Sequence, residues 1–285
     1  MTDAFTDHAQ LLHTESDRFT RYVQALPPQA WSQSTACDQW QAQDVVAHLI
    51  EVAQLYANSL TRGVQGDAEP PEGRLPAGAV NASIVAERVA QRSIATRQRL
   101  GDELLETFER TGTHLNRLLA ELSPADRDKP CYHPGGMVPA HRFIDLRLKE
   151  LAMHEWDMRS PHEPGFALSP PCLPAILGLM TDSIASGSLR WGFWASSRLP
   201  APVRYRIELT GPVPLQTDLV VEGDQVQVEA AAASPAQVLM RGDAETFVLL
   251  VYGRLPLTSA LDSGRIITEG DADHVAALAS WFRGV

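Results

Sequence analysis

The sequence predicts an α+β protein in two parts: a four-helix bundle over residues 1–163 and a small domain of mixed strands and helices over 174–285. Three observations carry that reading. Apolar residues recur at helical spacing through four long segments of the first half. A stretch from Pro161 to Pro174 then interrupts the pattern. Beyond it, short alternating segments bounded by turn residues take over. With 285 residues, 44% of them hydrophobic, the chain can bury a large core and divide in two.

The first helix is expected from about Thr6 to Leu26, where Pro27-Pro28 stops it. The second runs from Gln43 to Arg62, with Asp44 in its first turn, where a carboxylate suits the positive end of the helix dipole. Gly63 to Gly78, rich in Gly, Pro and acid, reads as a long surface loop, and loops of that length are often functional. The third helix spans Asn81 to Leu122, with Gly101 and Gly112 as candidate kinks. A second loop, Ser123 to Pro139, contains HPGGMVP, and the fourth helix follows it to Arg159.

In the second half, Ala175 to Trp194 reads as a helix whose Trp191 and Trp194 are core or interface anchors. Strands are expected at 204–209, 225–229, 236–240 and 266–268, and helices at 243–252 and 271–282.

Composition narrows the function. A net charge of −11 argues against nucleic acid or an anionic membrane as the main partner. No apolar run approaches twenty residues, and MTDAFTDHAQ lacks the basic-then-apolar pattern of a signal peptide, so a soluble, cytoplasmic protein is expected. Cys37, Cys131 and Cys172 are isolated, which signals neither a disulfide framework nor a thiolate metal site.

The chemistry concentrates in LRLKELAMHEWDMR, residues 146–159. At about 100° per residue, Phe143, Arg147, Glu150, His154 and Asp157 fall on one stripe of a helix. A carboxylate and an imidazole four apart stand one turn apart and can hold a metal ion between them; the same pair is also compatible with an ordinary solvated face. WQAQDVVAHLIE adds a third candidate, because His48 shares the apolar face of its helix with Val45, Val52 and Leu55. Asp157 and Glu51, each one turn from a histidine, are candidates to accept a ring N–H. The other histidines have no helical spacing to these three, which leaves an open coordination position.

WQAQDVVAHLIE and LRLKELAMHEWDMR resemble the two signatures of the mycothiol-dependent maleylpyruvate isomerase family, whose first part is a DinB-like helical bundle. The resemblance implies that His48, Glu150 and His154 bind a divalent metal, usually zinc, which activates the thiol cofactor mycothiol. VLMRGDAETFVLLVYGR and IITEGDADHVAALASWF are similar to a small α/β domain of sterol-carrier-protein type. The implied function is addition of the thiolate to a small electrophile, with cis–trans isomerisation as in maleylpyruvate isomerase. A mycothiol S-transferase, and a non-catalytic metal- or lipid-binding protein, are the alternatives.

Such a substrate carries carboxylates and needs cations in an otherwise acidic protein. Arg147 is the first candidate as a catalytic cation, with a supporting contact to Asp157 as its other reading. Arg254 is a second catalytic candidate and Arg241 a candidate for cofactor binding, both from the second domain. The expected assembly is a monomer or homodimer.

Overall fold

The computed structural model describes residues 4–37, 39–78, 82–185, 201–211, 214–223, 225–232 and 235–281. The chain divides into two compact units, residues 1–172 and 173–285.

The first unit is helical: α1 (Ala4–Gln24), α2 (Ala42–Val64), α3 (Ala82–Leu100), α4 (Leu104–Ala120) and α5 (Phe143–Arg159). Phe19 and Val23 of α1, Val45, Leu49 and Ile50 of α2, Leu115 and Leu119 of α4, and Phe143 and Leu148 of α5 form its buried core. Helices α1, α2, α4 and α5 pack on one another, while α3 lies along α2. The expected third helix is two helices. Gly101 adopts a positive φ of 51°, ends α3, and a three-residue 3-10 turn restarts the chain as α4.

Polar side chains fix α2 at its start and along its length. The Asp44 carboxylate accepts the Gln41 N–H at 3.0 Å and pairs with Arg97 of α3 at 2.8 Å. Glu51 accepts from Thr96 at 2.7 Å and faces Arg92 of α3 at 3.3 Å. Glu51 therefore ties α2 to α3, and the expectation that it would orient His48 is not met.

The stretch after α4 holds a small hairpin, β1 (Pro130–Cys131) paired with β2 (Val138–Pro139). It sits against α2, where Gly63 makes room for it: a Cβ there would lie 2.3 Å from Cys131 Sγ. Helix α5 is buried on almost every side. Its charges lie on more than one face: Glu155 pairs with Arg18 and Arg159, and Asp145 with Arg142.

The second unit holds α6 (Leu173–Ala185), β3 (Val203–Thr210), β4 (Leu215–Glu222), β5 (Gln225–Ala230), β6 (Val238–Asp243), α7 (Ala244–Val251), α8 (Leu257–Asp262), β7 (Ile266–Gly270) and α9 (Ala272–Trp281). Among the described residues five strands form one sheet in the order β5-β4-β3-β6-β7, parallel between β3 and β6 and antiparallel elsewhere. Asp243 caps α7 by accepting the Thr246 N–H at 2.7 Å. Strand β4 and helix α8 were not expected from sequence, and Trp191 and Trp194 lie outside the described residues. No helix among the described residues is long and apolar enough to cross a membrane.

Candidate metal centre

Helices α2 and α5 pack together and bring His48 against Glu150 and His154. Glu150 Oε2 stands 3.4 Å from His48 Nε2 and 3.3 Å from His154 Nε2. A tetrahedral site with bonds of 2.0–2.1 Å spaces neighbouring ligand atoms about 3.3 Å apart. Both separations fall at that value, and the three ligand atoms lie within 4.8 Å of one another, a group that could hold one small divalent ion.

Their surroundings act on the charge of each. Burial, opposed by Glu150, pushes His48 down to about 4, so at neutral pH its ring is uncharged and one of its two nitrogens keeps a lone pair for accepting a hydrogen bond or for coordination. Burial works against the charge on Glu150, but Lys149, His154 and His48 hold its carboxyl well below the usual range. Lys149 Nζ lies 3.0 Å from Oε1, leaving Oε2 to the histidines. Burial likewise opposes charge on His154, yet Asp157, Cys37 and Glu150 raise it well above the ordinary value.

His154 Nδ1 is 2.9 Å from Asp157 Oδ2, the carboxylate–imidazole arrangement that fixes a ligand ring and directs Nε2 outward. Cys37 Sγ donates to the same oxygen at 3.2 Å, and the Ala36 N–H donates to the Asp157 carbonyl at 2.8 Å. The segment before α2 is thereby fastened to the end of α5. Trp40, on that segment, lays its ring 5.0 Å from His48 and 6.0 Å from His154, forming an apolar wall.

Arg147 occupies a different place from the one expected. It is 1% exposed, donates to the Leu49 carbonyl at 3.3 Å and faces Gly112, where a Cβ would lie 3.7 Å from its Nη2. Burial pulls it down to about 10, so it stays cationic among the helices. Arg241 and Arg254 belong to the second unit. Arg241, on β6, is held by Glu208 at 2.7 Å and by Glu269. Arg254 follows α7 and donates to the Tyr252 carbonyl at 2.8 Å. A groove of about 560 Å³ between α2 and α4, lined by Ala53, Ala57, Arg110 and His114, contains none of the three converging residues.

The spacing of residues along single helices missed Trp40, Lys149 and Cys37. Trp40 and Cys37 precede a helix, and Lys149 lies off the stripe of charges.

Residues 12–159 match the family model described as the mycothiol maleylpyruvate isomerase N-terminal domain. Residues 201–283 match that of the SCP-2 sterol transfer family. A crystal structure titled mycothiol-dependent maleylpyruvate isomerase superposes with a TM-score of 0.61 at 16% identity, covering 95% of this chain and 98% of that one. A second crystal structure, of a histidine-to-alanine mutant of such an isomerase, gives 0.60 at 16% identity with the same coverage. No curated protein matches the chain.

Proposed function

The chain belongs to the mycothiol maleylpyruvate isomerase family, and on that premise we propose a metal-dependent enzyme that activates a low-molecular-weight thiol, mycothiol, for attack on a small electrophile. The observation that carries the proposal is the convergence of His48 Nε2, Glu150 Oε2 and His154 Nε2 at the spacing a small divalent ion requires. Among the described residues no fourth His, Cys, Asp or Glu joins this group, which leaves room for an exogenous ligand.

A bound divalent ion, zinc on this nitrogen-rich set, supplies a Lewis acid that favours the thiolate over the thiol near neutral pH. The chain's own residues make the site selective. Asp157 holds the His154 ring in one orientation and tautomer. Lys149 occupies one oxygen of Glu150 and keeps the carboxylate ionised. Trp40 shields one side from water, and buried Arg147 adds positive potential without touching the reactants. The family implies reversible addition of the thiolate across the cis double bond of maleylpyruvate. The new S–C bond would push the electron pair of the double bond onto the conjugated ketone as an enolate, leaving a single bond that rotates, and collapse of the enolate would expel the thiolate and restore the double bond as trans.

The test uses cobalt in place of zinc. A thiol offered to the cobalt protein is expected to give a sulfur-to-metal charge-transfer band in the near ultraviolet, and His48→Ala or His154→Ala to lose both metal and band. A cobalt spectrum indifferent to every thiol would overturn the proposal. A product that retains the thiol would assign an S-transferase in place of the isomerase.

A further inference from the structure

Cys37 is isolated in the sequence but not in space. Its partners come from α5, with Asp157 standing 120 positions further along the chain. Cys37 Sγ lies 3.2 Å from Asp157 Oδ2, and the same oxygen lies 2.9 Å from His154 Nδ1. One donor atom from each of Cys37, His154 and Asp157 falls within 4.8 Å of the other two. A soft sulfur, an imidazole nitrogen and a carboxylate oxygen thus gather on one edge of the ring whose other edge serves the first site. Nε2 turns to Glu150, and Nδ1 turns to Asp157.

Bonds of about 2.3 Å to sulfur and 2.0–2.2 Å to nitrogen or oxygen space tetrahedral ligands roughly 3.3–3.6 Å apart. The separations here are a few tenths of an ångström shorter, the difference between atoms that share a proton and atoms that share an ion. Exchanging protons for an ion therefore asks only for a small outward step of the segment that carries Cys37. That segment is hinged nearby: the Ala36 N–H donates to the Asp157 carbonyl at 2.8 Å, and the Trp40 N–H to the Cys37 carbonyl at 2.8 Å. Asp157 is wholly buried whereas Cys37 is partly exposed, so an ion arriving from solvent meets the sulfur first. Cys131 and Cys172 offer no rival. Both are buried, burial pushes their thiols up to about 11 and about 12, and neither joins a group of metal-ligating side chains among the described residues.

From this geometry we infer that Cys37, Asp157 and His154 Nδ1 form a second cation site, selective for soft divalent ions such as cadmium, which competes with the His48–Glu150–His154 site for the one lone pair of the His154 ring. A neutral imidazole carries a proton on one nitrogen and a lone pair on the other. With an ion on Nε2, the proton is on Nδ1 and is donated to Asp157. With an ion on Nδ1, the proton is on Nε2 and is donated to Glu150, 3.3 Å away. The thiol proton of Cys37 leaves to solvent as the sulfur binds. Holding both ions at once would require the ring to lose its second proton, so one ion displaces the other. The donors set the preference, because thiolate draws softer ions while a set of nitrogen and oxygen suits zinc or cobalt. The second site stands on its own geometry; only the competition rests on the reading of the first as a metal centre.

The probe is cadmium, added without any thiol to the purified, zinc-loaded full-length protein. A sulfur-to-cadmium charge-transfer band is expected in the ultraviolet. It should grow as about one zinc ion is released per cadmium bound, read by elemental analysis of the desalted protein. Cys37→Ser is expected to abolish the band and to keep its zinc at cadmium concentrations that empty the wild type. His48→Ala, which breaks only the first site, is expected to bind cadmium with the band intact. No band in the wild type, or a band that survives Cys37→Ser or disappears in His48→Ala, would overturn the second site. A band that rises while all the zinc stays bound would overturn the competition. A protein that takes up no zinc at the outset would strike the first site instead, and its cadmium band would still decide the second.

Discussion

Asp157 would set the quality of the proposed metal centre without belonging to it. It is buried, and one of its oxygens takes both the His154 ring and the Cys37 thiol. Asp157→Ala is expected to lower zinc affinity about ten- to a hundredfold, measured by competition with a chromogenic chelator, because the ring loses the contact that orients it. Wild-type affinity in that variant would reduce the contact to packing. Much of this centre was legible in the sequence, since a Glu and a His four apart and an inward histidine are read directly from helical spacing. Arg147 was misplaced for a physical reason. The sequence suggested one charged stripe, but α5 is covered nearly all round, so sharing a stripe with Glu150 does not bring a side chain to an open surface.

Among the elements, the β1–β2 hairpin depends on a glycine of α2. Gly63→Ala is expected to destabilise the protein by about 1–3 kcal/mol in chemical unfolding, since its methyl meets the Cys131 sulfur and the Pro130 carbonyl. Unchanged stability would show that the hairpin can move away freely. The break between α3 and α4 was anticipated only as a kink, because sequence does not say whether a glycine inside a helical pattern keeps helical φ. Strand β4 escaped detection because its alternation is disturbed by Asp218, which is wholly buried and bound by Arg204 at 2.9 Å and Arg206 at 2.9 Å. The hydrogen bond from Arg206, stronger than the opposing effect of burial, lowers the Asp218 carboxyl to about 2. A depressed carboxylate stabilises the fold above its unfolded value, near 3.9, and loses that contribution as pH falls toward 2. Asp218→Asn is expected to flatten the dependence of unfolding on pH across that window, and an unaltered profile would count against the assignment.

At the scale of the molecule, the three proposed ligands all belong to the first unit, residues 1–172. That segment produced alone is expected to bind about one zinc ion per chain, read by elemental analysis. A metal-free segment that folds normally would mean the centre draws on the second unit. His48 and Glu150 are separated by 102 positions of chain. At about 5–20 residues per second of synthesis, His48 leaves the ribosome roughly 5–20 s before its partners exist. An ion bound there would therefore have no nucleus to seed; it would seal a structure that hydrophobic packing has already closed. Zinc in the buffer is accordingly expected to leave the refolding rate unchanged while slowing unfolding, the signature of a bond made after the barrier. In stopped-flow experiments, faster refolding with zinc would place the closing of α2 on α5 before the barrier instead.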